Sequence, residues 1–286
     1  MLDPNAIREG FNQAAGCYDA HAALEQEVCA RLLERCSYQR RPPRRILDLG
    51  CGTGEGSREL KRRFRRAQVM GLDSSPAMLA QLRRRSSLLK PLQPVCGDMS
   101  RLPFAARSMD LLFSSMANHW SPDPASLYDE YRRVLRPEGM LLFATLGPGT
   151  LAELFEAWAA VGGAPALAPV PDLMVIGDAL MAAGFGEPVM DTERITVRYR
   201  SLDALVQELE CTGISLLVRG WGRWATARER VEAAFAPYLV EGQYPLTYEI
   251  IYGTAFGPAE GQPRRTPDGD VATFSVDSLL KSRPMS

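Results

Sequence analysis

The sequence lacks the features that would place it in a membrane, a disulfide scaffold or a metal centre. No run of about 18 apolar residues is present, so no helical membrane span is expected. The six cysteines (Cys17, Cys29, Cys36, Cys51, Cys96 and Cys211) include no CxxC pair. They read as reduced thiols rather than a disulfide frame or a zinc site. Histidine occurs only at His21 and His119, which leaves little material for a histidine-based catalytic dyad. The opening residues show no basic stretch followed by an apolar core, so no secretory signal is expected and the reading is cytoplasmic. No internal repeat is visible.

What is present is ordinary in amount and uneven in arrangement. The 286 residues are 46% hydrophobic and 23% charged, which suits one large globular domain or one domain with an insertion. The formal net charge is −1, yet residues 31–90 carry 16 Lys and Arg against five acids, a local balance of +11. Three clusters supply most of it: RRPPRR at 40–45, KRRFRR at 61–66 and RRR at 83–85. They read either as solvated helix ends or as a docking face for an acidic partner, in particular Arg62, Arg63, Arg65, Arg66, Arg83, Arg84 and Arg85. No nucleic-acid-binding motif accompanies them, so a protein partner is expected and nucleic acid is not.

Along the chain, residues 4–36 read as helical and RRPPRR as a linker. Strands and helices then alternate: RRILDLG, a helix over 55–65, QVMGLD, a helix over 76–85, QPVCGD, MDLLFSS, a helix over 124–135 and GMLLFATL. Short apolar strands separated by helices predict a doubly wound α/β domain around a mostly parallel sheet. Beyond residue 147 come two more helical stretches, an extended strand over VMDTERITVRYR, a helix and the strand LTYEIIYGTAFG. The expected organisation is a helical lid at 1–40 and a domain at 41–257 with a helical insertion at about 201–245 covering the site. A polar tail at 258–286 follows.

The stretch ILDLGCGTGEGSREL, residues 46–60, is a strand, a glycine-rich turn and a helix start, which together form a general anion and nucleotide site. Glycines at 50, 52, 54 and 56 give GxGxG, not the GxGxxG of dinucleotide folds, and no GK[ST] follows for a P-loop. Asp48, two residues before the first glycine, would repel a pyrophosphate but suits a ligand with a positive amino group. S-adenosylmethionine (SAM) has such a group and no phosphate. Asp73 and Asp98 follow at intervals of 25 residues, each at an expected strand end.

Asp48-Leu-Gly50-Cys51-Gly52-Thr-Gly54 resembles the first motif of the class I SAM-dependent methyltransferases. The resemblance implies a seven-stranded sheet, ribose contacts from Asp73 with Ser74 and Met78 nearby, and adenine contacts from Asp98 with Met99. MDLLFSS resembles the fourth motif, with Ser114 beside the transferred methyl. The Tyr-Asp-x-His-Ala opening, FSSMANHWSPDP, TLGPGTLAEL and YRSLDALVQELECTG together resemble the malonyl-acyl-carrier-protein O-methyltransferases of biotin synthesis, from about residue 5 to 257. Ser115 departs from that family, which often has Asn there.

The resemblance implies methylation of a free malonyl carboxylate on an acidic carrier protein. A carboxylate is already ionised at neutral pH, so no general base is required. Tyr18 on the lid and His119 and Trp120 after the fourth strand are the candidates for the acceptor side. Arg198, Arg200, Arg219 and Arg223 are the candidates to hold the malonyl carboxylate. Asp123 and Glu130 read as a helix start and a surface acid. The competing readings are a quinone or small-acid methyltransferase and a SAM-binding assembly factor that does not methylate. A nucleic-acid methyltransferase is disfavoured because no NPPY-like motif follows the fourth strand.

Overall fold

The computed structural model describes residues 3–259, with the backbone of Arg264–Thr266 and Gly269–Val271 in addition. The polar tail expected from residue 258 lies almost wholly outside the described residues. The first half of the chain runs α1 (Pro4–Ala14), α2 (Tyr18–His21), α3 (Ala23–Glu34), β1 (Arg45–Leu49), α4 (Glu55–Arg63), β2 (Gln68–Asp73), α5 (Pro76–Arg85), β3 (Leu92–Cys96), β4 (Met109–Ser115), α6 (Pro124–Val134) and β5 (Leu135–Leu146). The second half runs α7 (Ala152–Ala160), β6 (Ala166–Leu167), α8 (Leu173–Ala182), β7 (Gly186–Tyr199), α9 (Leu202–Cys211), β8 (Val218–Arg219), α10 (Trp224–Phe235) and β9 (Tyr244–Phe256). A short antiparallel pair, β10 (Arg264–Thr266) and β11 (Gly269–Val271), closes the described backbone.

The sheet order is β3-β2-β1-β4-β5-β9-β7, with β1 to β5 parallel and β9 antiparallel between β5 and β7. This is the doubly wound, seven-stranded sheet expected. Strand periodicity divides its two cores. Ile46 joins the cluster that also takes Val28, Leu32 and Leu60 of α3 and α4, while Leu47 and Leu49 join Leu127, Tyr131 and Leu180 of α6 and α8. Each fully buried leucine or isoleucine contributes about 1.5–3 kcal/mol of transfer free energy. Among the described residues no helix is long and apolar enough to cross a membrane.

The N-terminal helical stretch is not continuous. It breaks at Gly16-Cys17 and again at Ala22 (φ −90°, ψ 41°), giving three helices. Those breaks turn Tyr18 and Asp19 toward the glycine loop. The insertion is helical at α10, and Trp158 of α7 meets Trp224 edge-on at 5.3 Å. Leu216 packs against Gly10 and Gly213 against Phe11 of α1, and no residue of 201–245 lines the cavity at the strand ends.

The cysteines depart from the expectation. Cys17 and Cys211 form a disulfide with Cα atoms 5.7 Å apart, while Cys29, Cys36, Cys51 and Cys96 are free. Residues 194 apart cannot signal a pairing through spacing; α2 packing against the end of α9 brings them together. In the chain-entropy view a loop of this size contributes up to about 5 kcal/mol. Cys211→Ser is therefore expected to lower the urea-unfolding free energy by about 2–5 kcal/mol in oxidised protein and to have little effect under reductant. Equal losses in both buffers would show that the two sulfurs are not joined in solution.

Candidate active site at the carboxyl ends of the parallel strands

The turn after β1 needs glycine. Gly50 (φ +63°) has a left-handed backbone, and a Cβ there would sit 2.4 Å from Cβ of Ala117. Removing the side chain lets the β1 and β4 loops approach each other. The freed N–H groups are then used: Gly52 N donates to Asp73 Oδ2 at 2.9 Å, and Ser75 N donates to Oδ1 at 2.8 Å. Ser75 caps α5 through Met78 N (3.2 Å) and donates its hydroxyl to Asn12 Oδ1 of α1 (2.7 Å). Asp73 is thus fixed between the glycine loop and α5, and α1 is tied to the same point.

A second tie holds the lid to the loop. Asp19 Oδ1 accepts the Thr53 hydroxyl at 2.6 Å, and Arg85 bridges Asp19 to Glu55. Phe11 meets Trp120 edge-on with centroids 5.2 Å apart. These contacts close α1 and α2 over the strand ends.

Beneath the lid lies a cavity of about 360 Å3 walled by Asp73, Ser74, Met78, Asp98, Met99 and Trp120, with Tyr18, Gly50 and Gly52 at its inner end. A smaller cavity of about 50 Å3 adjoins it beneath Tyr18, sharing Gly50, Gly52 and Ser115. Cys51 and Asp48 belong to this smaller one. Gly54 opens α4 at the rim of the loop without lining either. The three acids read from the sequence therefore do not share one chamber: Asp73 and Asp98 line the larger, Asp48 the smaller. Asp98 lies two residues beyond β3 and accepts Ser100 N at 2.8 Å.

Other expected site residues fall elsewhere. Ser114 is buried away from both cavities, donating to Asn118 Oδ1 at 2.7 Å, because alternation along β4 turns Ser115 toward the site instead. Asn118 Oδ1 also accepts the Tyr131 hydroxyl (3.0 Å), whose oxygen lies 3.5 Å from Met99 Sδ in the cavity wall. His119 is 3% exposed and lines neither cavity. Its Nδ1 accepts Leu146 N at 3.4 Å, which leaves the proton of the neutral ring on Nε2. Burial depresses its pKa to about 3, so it pins the end of β5 as a neutral group. Asp123 caps α6, and Glu130 accepts Leu102 N (2.6 Å) while pairing with Arg133.

The arginines are rearranged most. Arg198, Arg200, Arg219 and Arg223 line neither cavity, and Arg198 pairs with Glu241 at 3.3 Å. Arg8 of α1, not singled out from the sequence, is the one Lys or Arg side chain among the described residues lining the larger cavity. Arg85 is 20% exposed and committed to the lid tie, so it is not free for a partner. Arg62, Arg63, Arg65, Arg66, Arg83 and Arg84 are exposed. The first four sit at the end of α4 and the turn into β2, on the edge where strands begin and away from the cavity. Part of the basic excess is neutralised across the fold: Arg31 meets Glu193, Arg35 meets Asp191, Arg40 meets Glu187 and Arg41 meets Glu138.

Electrostatically the small cavity stands apart. Burial raises Asp48 to about 7 against the Ser57 hydroxyl that donates to it at 2.6 Å. Burial likewise raises Glu25 of α3 to about 8, with Glu208 adding repulsion. Tyr18 is pushed up by burial and by Glu25, Asp73 and Asp19. Glu25, one of three acids in an amphipathic helix, gave no signal in the sequence.

Residues 47–143 match the family described as methyltransferase domain. The chain is 40% identical to the malonyl-[acyl-carrier protein] O-methyltransferase of Laribacter hongkongensis over 284 residues, covering 95% of this chain and 96% of that one. It is also 40% identical to the enzyme of the same name from Gallionella capsiferriformans, covering 94% and 95%. Among solved structures, the phosphoethanolamine N-methyltransferase 2 of Haemonchus contortus in complex with S-adenosyl-L-methionine aligns with a TM-score of 0.54 at 21% identity. That alignment covers 86% of this chain and 57% of the other, and shows a shared fold.

Two acids with raised pKa values make stability depend on pH. Their neutral forms are favoured in the folded state, so their contribution is complete below the ordinary carboxylate range and is lost as pH rises through about 7 for Asp48 and about 8 for Glu25. The Tm of ligand-free protein is expected to fall between about pH 5 and pH 8, and Glu25→Gln with Asp48→Asn to flatten the fall. A double variant retaining the full slope would place its origin elsewhere.

Proposed function

The chain belongs to the malonyl-[acyl-carrier protein] O-methyltransferase family, and from that premise we propose that it transfers a methyl group from SAM to the free carboxylate of a malonyl thioester on acyl carrier protein. The methyl ester would then prime pimeloyl synthesis for biotin. The observation that carries the reading is the lidded cavity joining a glycine cradle to Asp73 and Asp98 at successive strand ends. Its volume of about 360 Å3 suits one nucleoside-sized ligand.

In this reading Asp73 accepts the ribose hydroxyls while its backbone partners hold it in place, and Asp98 with Met99 binds the adenine edge. Gly50 and Gly52 admit the amino-acid end without Cβ interference. SAM supplies an electrophilic methyl on a sulfonium. The acceptor carboxylate oxygen forms the new bond to that methyl as the carbon–sulfur bond breaks, its electron pair staying on the thioether sulfur, so no proton moves. The protein's task is alignment and exclusion of water, for which Tyr18, Phe11 and Trp120 wall the closed site. His119 supports that wall from behind through Trp120, its ring centroid 5.0 Å away.

Opening of the lid admits the acyl arm. Arg8, on the lid and against the cavity, is the proposed cation for the anionic acceptor. The exposed cluster at Arg62, Arg63, Arg65 and Arg66 lines neither cavity, and is proposed to steer the acidic carrier at long range.

Protein incubated with methyl-labelled SAM and malonyl-carrier protein is expected to yield a label released by mild base, as an ester is. Transfer to neither malonyl-carrier protein nor malonyl-coenzyme A would sink the reading; label on a quinone or small acid alone would favour a small-molecule enzyme. Arg8→Glu should raise KM for the carrier substrate by about tenfold, the scale of one charge-assisted contact. Charge reversal at the four-arginine cluster should act mainly at low ionic strength. Equal, salt-independent effects of both changes would refute this division of roles.

A further inference from the structure

The small cavity beneath Tyr18 is walled by four carboxyl groups, Asp19, Glu25, Asp48 and Glu55, and among the described residues lining it there is no lysine, arginine or histidine. Arg85 neutralises two of the four, Asp19 and Glu55. No ion pair among the described residues reaches the other two. Asp48 accepts the Ser57 hydroxyl, and Glu25, 9% exposed, has Oε2 buried with no hydrogen-bond partner. A buried carboxyl oxygen left bare is destabilising, and more so if charged. A fold that keeps one in a cavity wall is complementary to something that fills it.

The other groups facing Glu25 do not supply a cation. They are Glu208 of α9, Tyr18 of α2 and Tyr248 of β9, and the nearest weak base, His21, faces Glu208 with its Nδ1 on the Cys17 carbonyl at 2.9 Å. The cavity, about 50 Å3, has room for one ammonium-sized group and no more. It opens beside Gly50 and Gly52, where the amino-acid end of a ligand in the larger cavity would arrive.

We infer that Glu25, at the start of the core helix α3, binds the α-ammonium of the methyl donor jointly with Asp48, beneath Tyr18 of the lid. The inference rests on the SAM reading above. An ammonium offers three donors to two carboxylates and a loop carbonyl, and converts two uncompensated acids into charge-assisted hydrogen bonds. Because burial holds both acids partly or wholly protonated at neutral pH, the arriving cation drives their protons into solvent. Donor binding therefore releases protons, and that release is coupled to the charged head rather than to the nucleoside.

Titration calorimetry with S-adenosylhomocysteine and with methylthioadenosine, which lacks the amino-acid head, tests this at pH 7 in two buffers of different ionisation enthalpy. Wild type is expected to release protons with the first ligand and not with the second. Glu25→Gln, a neutral isostere of the resting acid, is expected to weaken S-adenosylhomocysteine by about 10- to 100-fold, the range for a hydrogen bond to a charged group. It should also reduce the proton release and leave methylthioadenosine within about twofold. Equal weakening of both ligands would mark Glu25 as structural and overturn the inference, as would an unchanged S-adenosylhomocysteine affinity or wild-type binding without proton release. Wild type that binds neither ligand would overturn the SAM reading itself, a separate result.

Discussion

Where the strand order turns back on itself between β1 and β4, crossover helices leave to opposite faces and nothing built into the sheet covers the carboxyl ends. That crevice is the constraint on which the rest of the site depends. It exposes the ends of β1, β2, β3 and β4 to one space, and it can be entered closely only because Gly50 has no side chain to meet Ala117. The acids proposed to meet the nucleoside, Asp73 and Asp98, are placed by strand ends alone. A reaction that needs no base can be served by such a site, provided water is kept out and the reactants are aligned.

Water is kept out by a lid that is separate in sequence and fastened by polar contacts. Asp19 joins Thr53 and Arg85, and Asn12 joins Ser75, so the lid docks on the same loop and helix start that hold Asp73. These are contacts of hydrogen bonds and partly exposed ion pairs, each worth little alone. A lid that must open for each acyl chain is suited by fastenings of that strength, whereas the apolar core beneath it is not asked to move. The disulfide from Cys17 to Cys211 fixes the hinge end, one residue before Tyr18.

Most of the fold was legible. Five strands and the helices between them follow from apolar runs, glycine turns and N-cap residues, while the order of the strands in the sheet comes from the tertiary structure. The lid helix was read as one piece because its apolar spacing is continuous; the breaks come from how α2 is held against α9 and the loop. The site was half legible. Asp73, Asp98 and Met99 come together as their positions at or just beyond strand ends imply, and Met78 of α5 and Trp120 of the turn after β4 join them. Ser114 and His119 lay one register step and one turn from where motif position put them, and both are buried polar supports.

The sequence by itself determined the periodicities, the glycine loop and the acids at strand ends, because those are local: strand alternation and a left-handed turn require only near neighbours. It also carried enough family-specific pattern to imply the chemistry. Charge and cysteine partnership are different in kind. A local excess of +11 is reduced once Arg31, Arg35 and Arg40 meet acids of β7 more than 140 residues away, and two cysteines 194 apart become a bond. Glu25 becomes meaningful only when the fold removes water and every countercharge from around it. Coulomb interactions and desolvation act through space rather than along the chain, so tertiary structure alone decided which charges are paired and which are left waiting for a ligand.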